Sequence, residues 1–215
     1  MAQTIRSSTS ITVILGTLLL ALAAFSTYAA AATRVGQVSR ILHTAQAVTE
    51  GDTHDLSANS DIHLNDVIMT GEDARLEITF IDGTLVTLGE NASLVIDNFV
   101  YQPSANQSLV DLAIKGAFRF ITGRAGRLSQ STTAVRTPFA IIGVRGTDFF
   151  GGPLDGQFGV LLFEGAVAVT NQQGEAVLDR PGQGTNIAAP GQPPGPVAIW
   201  PSDKVARALA AVALQ

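Results

Sequence analysis

From Arg75 to Ile81 apolar and polar residues alternate. Leu76, Ile78 and Phe80 point one way; Arg75, Glu77 and Thr79 point the other. A period of two is that of a half-buried strand. Asp82-Gly83 follows as a turn signal, and Thr84 to Leu88 starts the next run. Gly89-Glu90-Asn91 breaks it and Leu94-Val95-Ile96 resumes it. Further short runs are Leu109 to Ile114, Ala117 to Ile121, Ala140 to Val144, Gly159 to Phe163 and Ala166 to Thr170. Lys115-Gly116, Gly143, Glu164-Gly165 and Gln173-Gly174 sit at or between these runs and read as turns. No helical period is sustained between Gly71 and Gly184. Many short strands with frequent turns predict an all-β domain: a sandwich, a barrel or a β-solenoid. The pattern alone does not choose among them.

The two ends read differently. Arg6 is the only charge before Arg34, Ile11 to Phe25 is apolar, and Ala29 to Ala32 are small. This is the pattern of a signal peptide over residues 1–32, cleaved after Ala31 or Ala32. An uncleaved inner-membrane anchor is the alternative, because residues 7–33 carry no charge. The all-β domain is then expected over residues 33–189. Pro190, Pro193, Pro194, Pro196 and Pro201 crowd the next stretch, with Gly191 and Gly195 among them. They predict a linker or extended strip over residues 190–201. A short amphipathic helix is expected over residues 202–215, capped by Ser202 with Asp203 in its first turn. Val205, Leu209 and Val212 fall on one face of it. They either pack on the same domain or form a partner contact.

Composition narrows the function classes. Of 215 residues 46% are hydrophobic and only 14% charged, which excludes a polar disordered chain. The absence of cysteine excludes disulfides, thiolate zinc sites and a cysteine nucleophile. Net charge is −5; loss of Arg6 with the signal leaves 12 basic against 18 acidic residues, or −6. Such a surface offers nucleic acid little to bind.

The arrangement of motifs resembles the FecR domain, named for the ferric-citrate regulator of Gram-negative bacteria. Phe80 to Gly89, with Asp82-Gly83-Thr84 at its turn, is similar to the first signature of that family. Gly36 to Val38 and Leu64 to Gly71 resemble its lead-in, and Leu112 to Gly116 its next strand and turn. Arg136-Thr137-Pro138-Phe139-Ala140 and Gly143-Val144-Arg145-Gly146-Thr147 resemble its most distinctive part. Val160 to Val169, with Glu164-Gly165 inside, and Gly182 to Gly184 resemble its end. The resemblance implies a periplasmic all-β domain, a β-solenoid-like roll with the β-sandwich as alternative, used for protein interaction or sensing. It implies no catalytic residue and no cofactor. The best-known relatives add a cytoplasmic anti-sigma segment, a membrane helix and a receptor-docking subdomain. With only Met1 to Arg6 before the uncharged stretch and a short tail after Gly184, sigma-factor control is not expected to carry over.

The candidate chemistry is thin on its own terms. Asp82-Gly83-Thr84 has the wrong order for an aspartic protease and reads as a turn with φ > 0 at Gly83. Arg145 follows the apolar Phe139 to Ile142. It is expected to be partly buried, tying down carbonyls or pairing with Asp148 or Glu164, with a carboxylate ligand as alternative. Glu164 lacks a partner at a telling spacing for acid–base work. His43, His54 and His63 are not at the spacing that puts two ligands on one helix face. Gly143 to Gly152 lacks the ending of a phosphate loop and reads as turns. The function expected is a non-catalytic protein-binding, sensing or accessory module with an envelope protein partner and no stable membrane insertion after cleavage. A structural or surface-attachment role through an exposed strand edge is the alternative, and a periplasmic hydrolase the least favoured.

Overall fold

The computed structural model describes residues 32–214; the predicted signal segment lies outside the described residues, except for Ala32. The described chain is all-β, closed by one short helix. In chain order the strands begin with β1 (Arg34–Leu42), β2 (Ala45–Thr49), β3 (Asp52–Asp55), β4 (Asp61–His63) and β5 (Val67–Thr70). Then come β6 (Arg75–Phe80), β7 (Leu85–Leu88), β8 (Ser93–Gln102), β9 (Gln107–Lys115), β10 (Phe118–Ile121) and β11 (Gln130–Arg136). The last are β12 (Ile141–Leu154), β13 (Gln157–Asn171), β14 (Gly174–Leu178), β15 (Gln183–Ile187) and β16 (Ala198–Ile199), before helix α1 (Ser202–Ala210).

All strands join one sheet, and the long β12–β13 hairpin organises it. One edge of β12 is shared: Ile141–Val144 border Thr133–Arg136 of β11, and Asp148–Gly151 border Phe118–Ile121 of β10. β13 divides likewise, with Phe158–Leu161 on β15 and Val167–Asn171 on β14. Two wings therefore grow from the hairpin. One runs β11-β9-β8-β5-β2-β3 and the other β10-β7-β6-β1-β4. Pairing is antiparallel except between β9 and β11.

The sheet curls so that the wings face each other. An extended strand rises about 3.3 Å per residue, so β12 drawn straight would hold its ends more than ~40 Å apart. Instead Phe139, just before β12, stacks on Phe158, which is paired with Pro153 near the far end of β12. Their ring centroids are 4.7 Å apart and the planes differ by 11°. Phe80 of one wing likewise stacks on Phe99 of the other at 5.1 Å. The main core lies between the wings and includes Leu76, Ile78, Phe118, Phe120 and Phe149. The alternation in β6 is as the sequence predicts: Leu76, Ile78 and Phe80 are buried, the residues between them half-buried.

Two turns expected from glycine are bends instead. The runs before and after Glu164-Gly165 form one strand, β13, and Gly143 to Gly152 lie within β12. The register shifts between Arg145 and Asp148, where Gly146 has φ 60° opposite Gly165 at φ 81°. Glycine there permits a bulge that turns the ladder without reversing the chain.

A second apolar cluster covers the other face of the β12–β13 hairpin. Phe150, Leu161, Trp200, Ala208 and Val212 form it, with Val205 packed against them. The proline-rich strip lies along the domain, with β16 paired to β15. Helix α1 ends at Ala210, earlier than the sequence predicts. Pro201 occupies its N-cap with no side-chain hydrogen bond, so Ser202 is the first helical residue and does not cap. Val205 and Val212 face the sheet, whereas Leu209 is 37% exposed.

Candidate functional site

The predicted motif residues assemble in two places, a corner and a cleft. The corner is the bend of the β12–β13 hairpin. A Cβ on Gly165 would stand 2.2 Å from the carbonyl oxygen of Gly146, so the two strands cross there backbone to backbone. Thr147 is buried beside them. Its amide donates to Thr122 Oγ1 at 2.9 Å, and its carbonyl accepts the Thr122 amide at 2.8 Å. The loop after Thr122 then seals the first motif. Asp82 is buried; its carboxylate accepts the Thr84 amide at 2.9 Å and the Thr84 hydroxyl at 2.7 Å. Thr84 Oγ1 in turn accepts the Gly123 amide at 3.0 Å, and Asp82 O accepts the Arg124 amide at 2.8 Å. Gly83, at φ 85°, closes the turn. The Asp82-Gly83-Thr84 and Gly143-to-Thr147 segments are thus joined through residues 122–124.

Arg145 does not take the expected place. It is exposed at the bulge and has no ion pair among the described residues. Asp148 is held instead by Arg119 of β10, through two bonds of 2.8 and 2.7 Å. The Arg119 guanidinium lies 5.1 Å from the ring centre of Phe163. Its hydrogen bond to Asp148 raises its pKa further above the ordinary arginine value. Alternation explains the exchange: the bulge directs Arg145 to solvent and Asp148 towards β10. Glu164 is also exposed, with no carboxylate partner among the described residues that would suggest acid–base work.

The cleft lies at the mouth of the curl, where both ends of β12 meet. Its volume is about 570 Å³. Phe139, Phe158, Pro138, Pro153 and Ala117 give it an apolar lining, and Ala211 after α1 closes one side. The tight segment Thr137 to Ala140 positions Phe139. Thr137 Oγ1 accepts the Phe139 and Ala140 amides at 3.2 and 3.0 Å and donates to Ala140 O at 2.9 Å. Asn171 Nδ2 donates to Phe139 O at 3.1 Å. Gly116, at φ 99°, lines the cleft where a Cβ would meet Ala92 at 2.7 Å. The charged rim consists of Arg75, Glu90 and Lys115. Arg136 borders the neighbouring shallow groove and is bonded to both Asp97 and Asp111.

Residues 66–168 match the family model described as FecR protein. This stretch is a FecR-type domain. The matched range is narrower than the Gly36 to Gly184 span that the motifs suggest. It holds every motif residue of the corner and the cleft loop but neither β1 nor α1. Two crystal structures share the fold, each of a protein assigned as an anti-sigma factor from Parabacteroides distasonis ATCC 8503. They are 19% and 18% identical to this chain, with TM-scores of 0.53 and 0.52. Each likeness covers 65% of this chain and 62% of the other. No curated protein matches significantly.

The FecR-type domain continues into flanking strands whose edges differ. β3 ends one wing and reads Asp52-Thr53-His54-Asp55, fully exposed; its charges discourage pairing. β4 has three residues and β16 two. β14 is five residues long, pairs only with β13, and carries Val177 at 53% exposure. Ile141, 52% exposed, stands on the same outward face, since Ile142 and Ala176 beside the pair are buried.

Among the described residues no group of three or more His, Cys, Asp or Glu side chains could hold a metal ion. His43 and His54 are exposed on separate turns and strands, and His63 lies 3.7 Å from Asp66. No helix among the described residues is long and apolar enough to cross a membrane. The cleft was not legible as a site in the sequence, because Arg75, Lys115, Phe139 and Phe158 come from separate strands and loops. The Thr137 to Ala140 motif is the one local signal that points to it.

Proposed function

We infer that the protein is a non-catalytic envelope module that works by protein contact, as a sensing or accessory component of envelope signalling. The observation that carries this reading is the free edge of β14, with Val177 on it and Ile141 exposed two strands in on the same outward face. An unpaired edge offers main-chain donors and acceptors to an incoming extended segment, and the flanking apolar side chains supply specificity. The FecR-type match and the fold shared with proteins assigned as anti-sigma factors support the signalling context. The motif residues support the same reading, because Asp82, Thr84, Thr147 and the glycines close turns and bends. Residues 1–32 serve as a cleaved signal, leaving residues 33–189 in the periplasm of a Gram-negative cell as a β-solenoid-like roll. Residues 190–201 tie the terminal helix to it. Val205 and Val212 hold that helix, which leaves Leu209 for contact.

The test uses a photo-crosslinking residue at Val177 or Ile141 in cells. Both positions capture the same envelope protein, and Val177→Lys on the protein crosslinked from Ile141 removes the capture without changing thermal stability. Turnover of a glycan, peptide or ester by the purified protein, abolished by one carboxylate substitution that leaves it folded, overturns the reading. Intact mass of the native product reports signal cleavage.

A further inference from the structure

We propose that the cleft between Arg75 and Lys115 binds a small organic anion with a flat apolar body, of the aromatic or alicyclic carboxylate class. The site is separate from the β14 edge and does not rest on its role. Three features of the cleft lead here.

Its charge is the reverse of the chain's. The protein carries −5 overall, yet the cleft rim has two cations and one acid. Nearly every other described basic side chain is engaged. Arg34, Arg40, Arg119, Arg136, Arg180 and Arg207 pair with carboxylates. Arg124 bonds backbone carbonyls and lies over Tyr101, and Lys204 bonds Asn186. Arg75, Lys115 and Arg145 pair with no carboxylate among the described residues, and the first two line this cleft from opposite wings. Glu90, the one acid, already accepts the Asp73 amide at 3.1 Å.

Arg75 also holds unused hydrogen-bonding capacity. Nη1 donates to Ala74 O at 2.8 Å, but Nε is buried without any partner. A buried donor left unmatched calls for an explanation, and an arginine fork suits a carboxylate. Lys115 on the facing wall supplies a mobile second cation.

The body of the cleft is flat and stiff. The stacked Phe139 and Phe158 rings and the flanking Pro138 and Pro153 change shape little, and a planar ring gains by stacking on them. About 570 Å³ lies within the range of small-molecule sites. Inorganic phosphate would satisfy the cations but leave the apolar lining wet. An apolar molecule without charge would leave Arg75 as it is.

The experiment titrates the purified full chain with anilinonaphthalenesulfonate, an aromatic anion that fluoresces when shielded from water. Phenylnaphthylamine, its uncharged counterpart, serves as control. The sulfonate probe binds with one site per chain, is displaced by naphthoate and not by phosphate, and outcompetes the uncharged probe. Lys115→Met, at an exposed position that leaves the fold intact, weakens it about tenfold, the loss of one charge-assisted bond. Arg75→Met does the same where it folds. Glu90→Gln tightens binding, because one repelling charge is removed and the Asp73 amide keeps an acceptor. The uncharged probe is indifferent to all three. Equal binding of both probes, or sulfonate binding unchanged in Lys115→Met and Glu90→Gln, overturns the proposal. Displacement by N-acetylphenylalanine far better than by naphthoate assigns the site to a chain terminus and overturns the small-molecule assignment.

Discussion

Trp200 lays its indole directly on the backbone of Gly184. A methyl group there would stand 2.3 Å from the ring, and one on Gly159 would stand 2.7 Å from its far edge. The two glycines form a seat on β13 and β15 that brings Trp200, and with it α1, onto the outer face of the β12–β13 hairpin. Gly184→Ala is therefore expected to cost about 1–3 kcal/mol by overpacking. Gly174→Ala, whose added carbon meets only Pro193 and Pro194 at 3.8 and 3.9 Å, serves as the tolerant control. Denaturant unfolding measures both. Trp200 is the only tryptophan, so its emission should shift to the red in Gly184→Ala as the indole loses its seat.

Arg119 and Arg145 exchange the roles that their sequence contexts suggest. Arg119→Ala removes a bidentate bond and leaves Asp148, 16% exposed, without its cation. A loss of about 1–3 kcal/mol is expected. Arg145→Ala removes an exposed side chain and should stay within about 0.5 kcal/mol. Paired urea titrations decide it; equal losses would mean that Arg145 has a partner in solution.

Glu77 should hold its charge to lower pH than an ordinary glutamate. Its pKa is lowered, chiefly by the hydrogen bond from Arg40, while burial acts the other way. Arg40 Nη2 lies 2.9 Å from Glu77 Oε2. A carboxyl whose folded pKa is below its unfolded value adds stability above the unfolded value, about 4.3 for glutamate. That stability is lost as pH falls through the folded value. Arg40→Met lets the folded pKa rise towards the unfolded one. The fall in stability below about pH 4.3 should then be shallower in Arg40→Met than in the parent. Parallel stability curves through the acid range would show that the pair does not carry the dependence.

What was legible in the sequence follows the range of each interaction. The alternation of Leu76, Ile78 and Phe80 is local and sufficient, because one buried face fixes a strand without regard to its neighbours. The helix signal after Pro201 is local too, though α1 stops at Ala210 and Val212 lies in the turn that follows. Glu164-Gly165 was ambiguous: a hairpin turn and a bulge both call for glycine at positive φ, and only the partner strand tells them apart. Arg145 misleads for the same reason, since a bulge of uncertain place inverts the facing of every residue after it. The stacking of Phe139 on Phe158 follows from the bend itself and leaves no mark in either segment.

That bend yields the sharpest test of how the corner is built. Gly146 and Gly165 both have positive φ, yet their surroundings differ. A Cβ added at Gly146 would meet nothing within 4 Å, whereas one added at Gly165 would meet the Gly146 carbonyl at 2.2 Å and Thr147 Cγ2 at 2.9 Å. Gly146→Ala should cost only the left-handed backbone penalty, about 1–2 kcal/mol, and Gly146→Asn less, because asparagine tolerates that region. Gly165→Ala adds overpacking of about 1–3 kcal/mol to a backbone strain of about 1–3 kcal/mol, so a total near 2–6 kcal/mol is expected. The carbonyl belongs to the facing strand, so relief requires β12 and β13 to separate at the corner. Separation there would also loosen the far mouth, where Phe139 meets Phe158. Gly165→Ala should thus unfold at lower urea and, below its transition, lose the one-site binding of the aromatic anion that Gly146→Ala retains. Equal and mild losses from the two alanines would mean that the strands do not meet backbone to backbone at the bend.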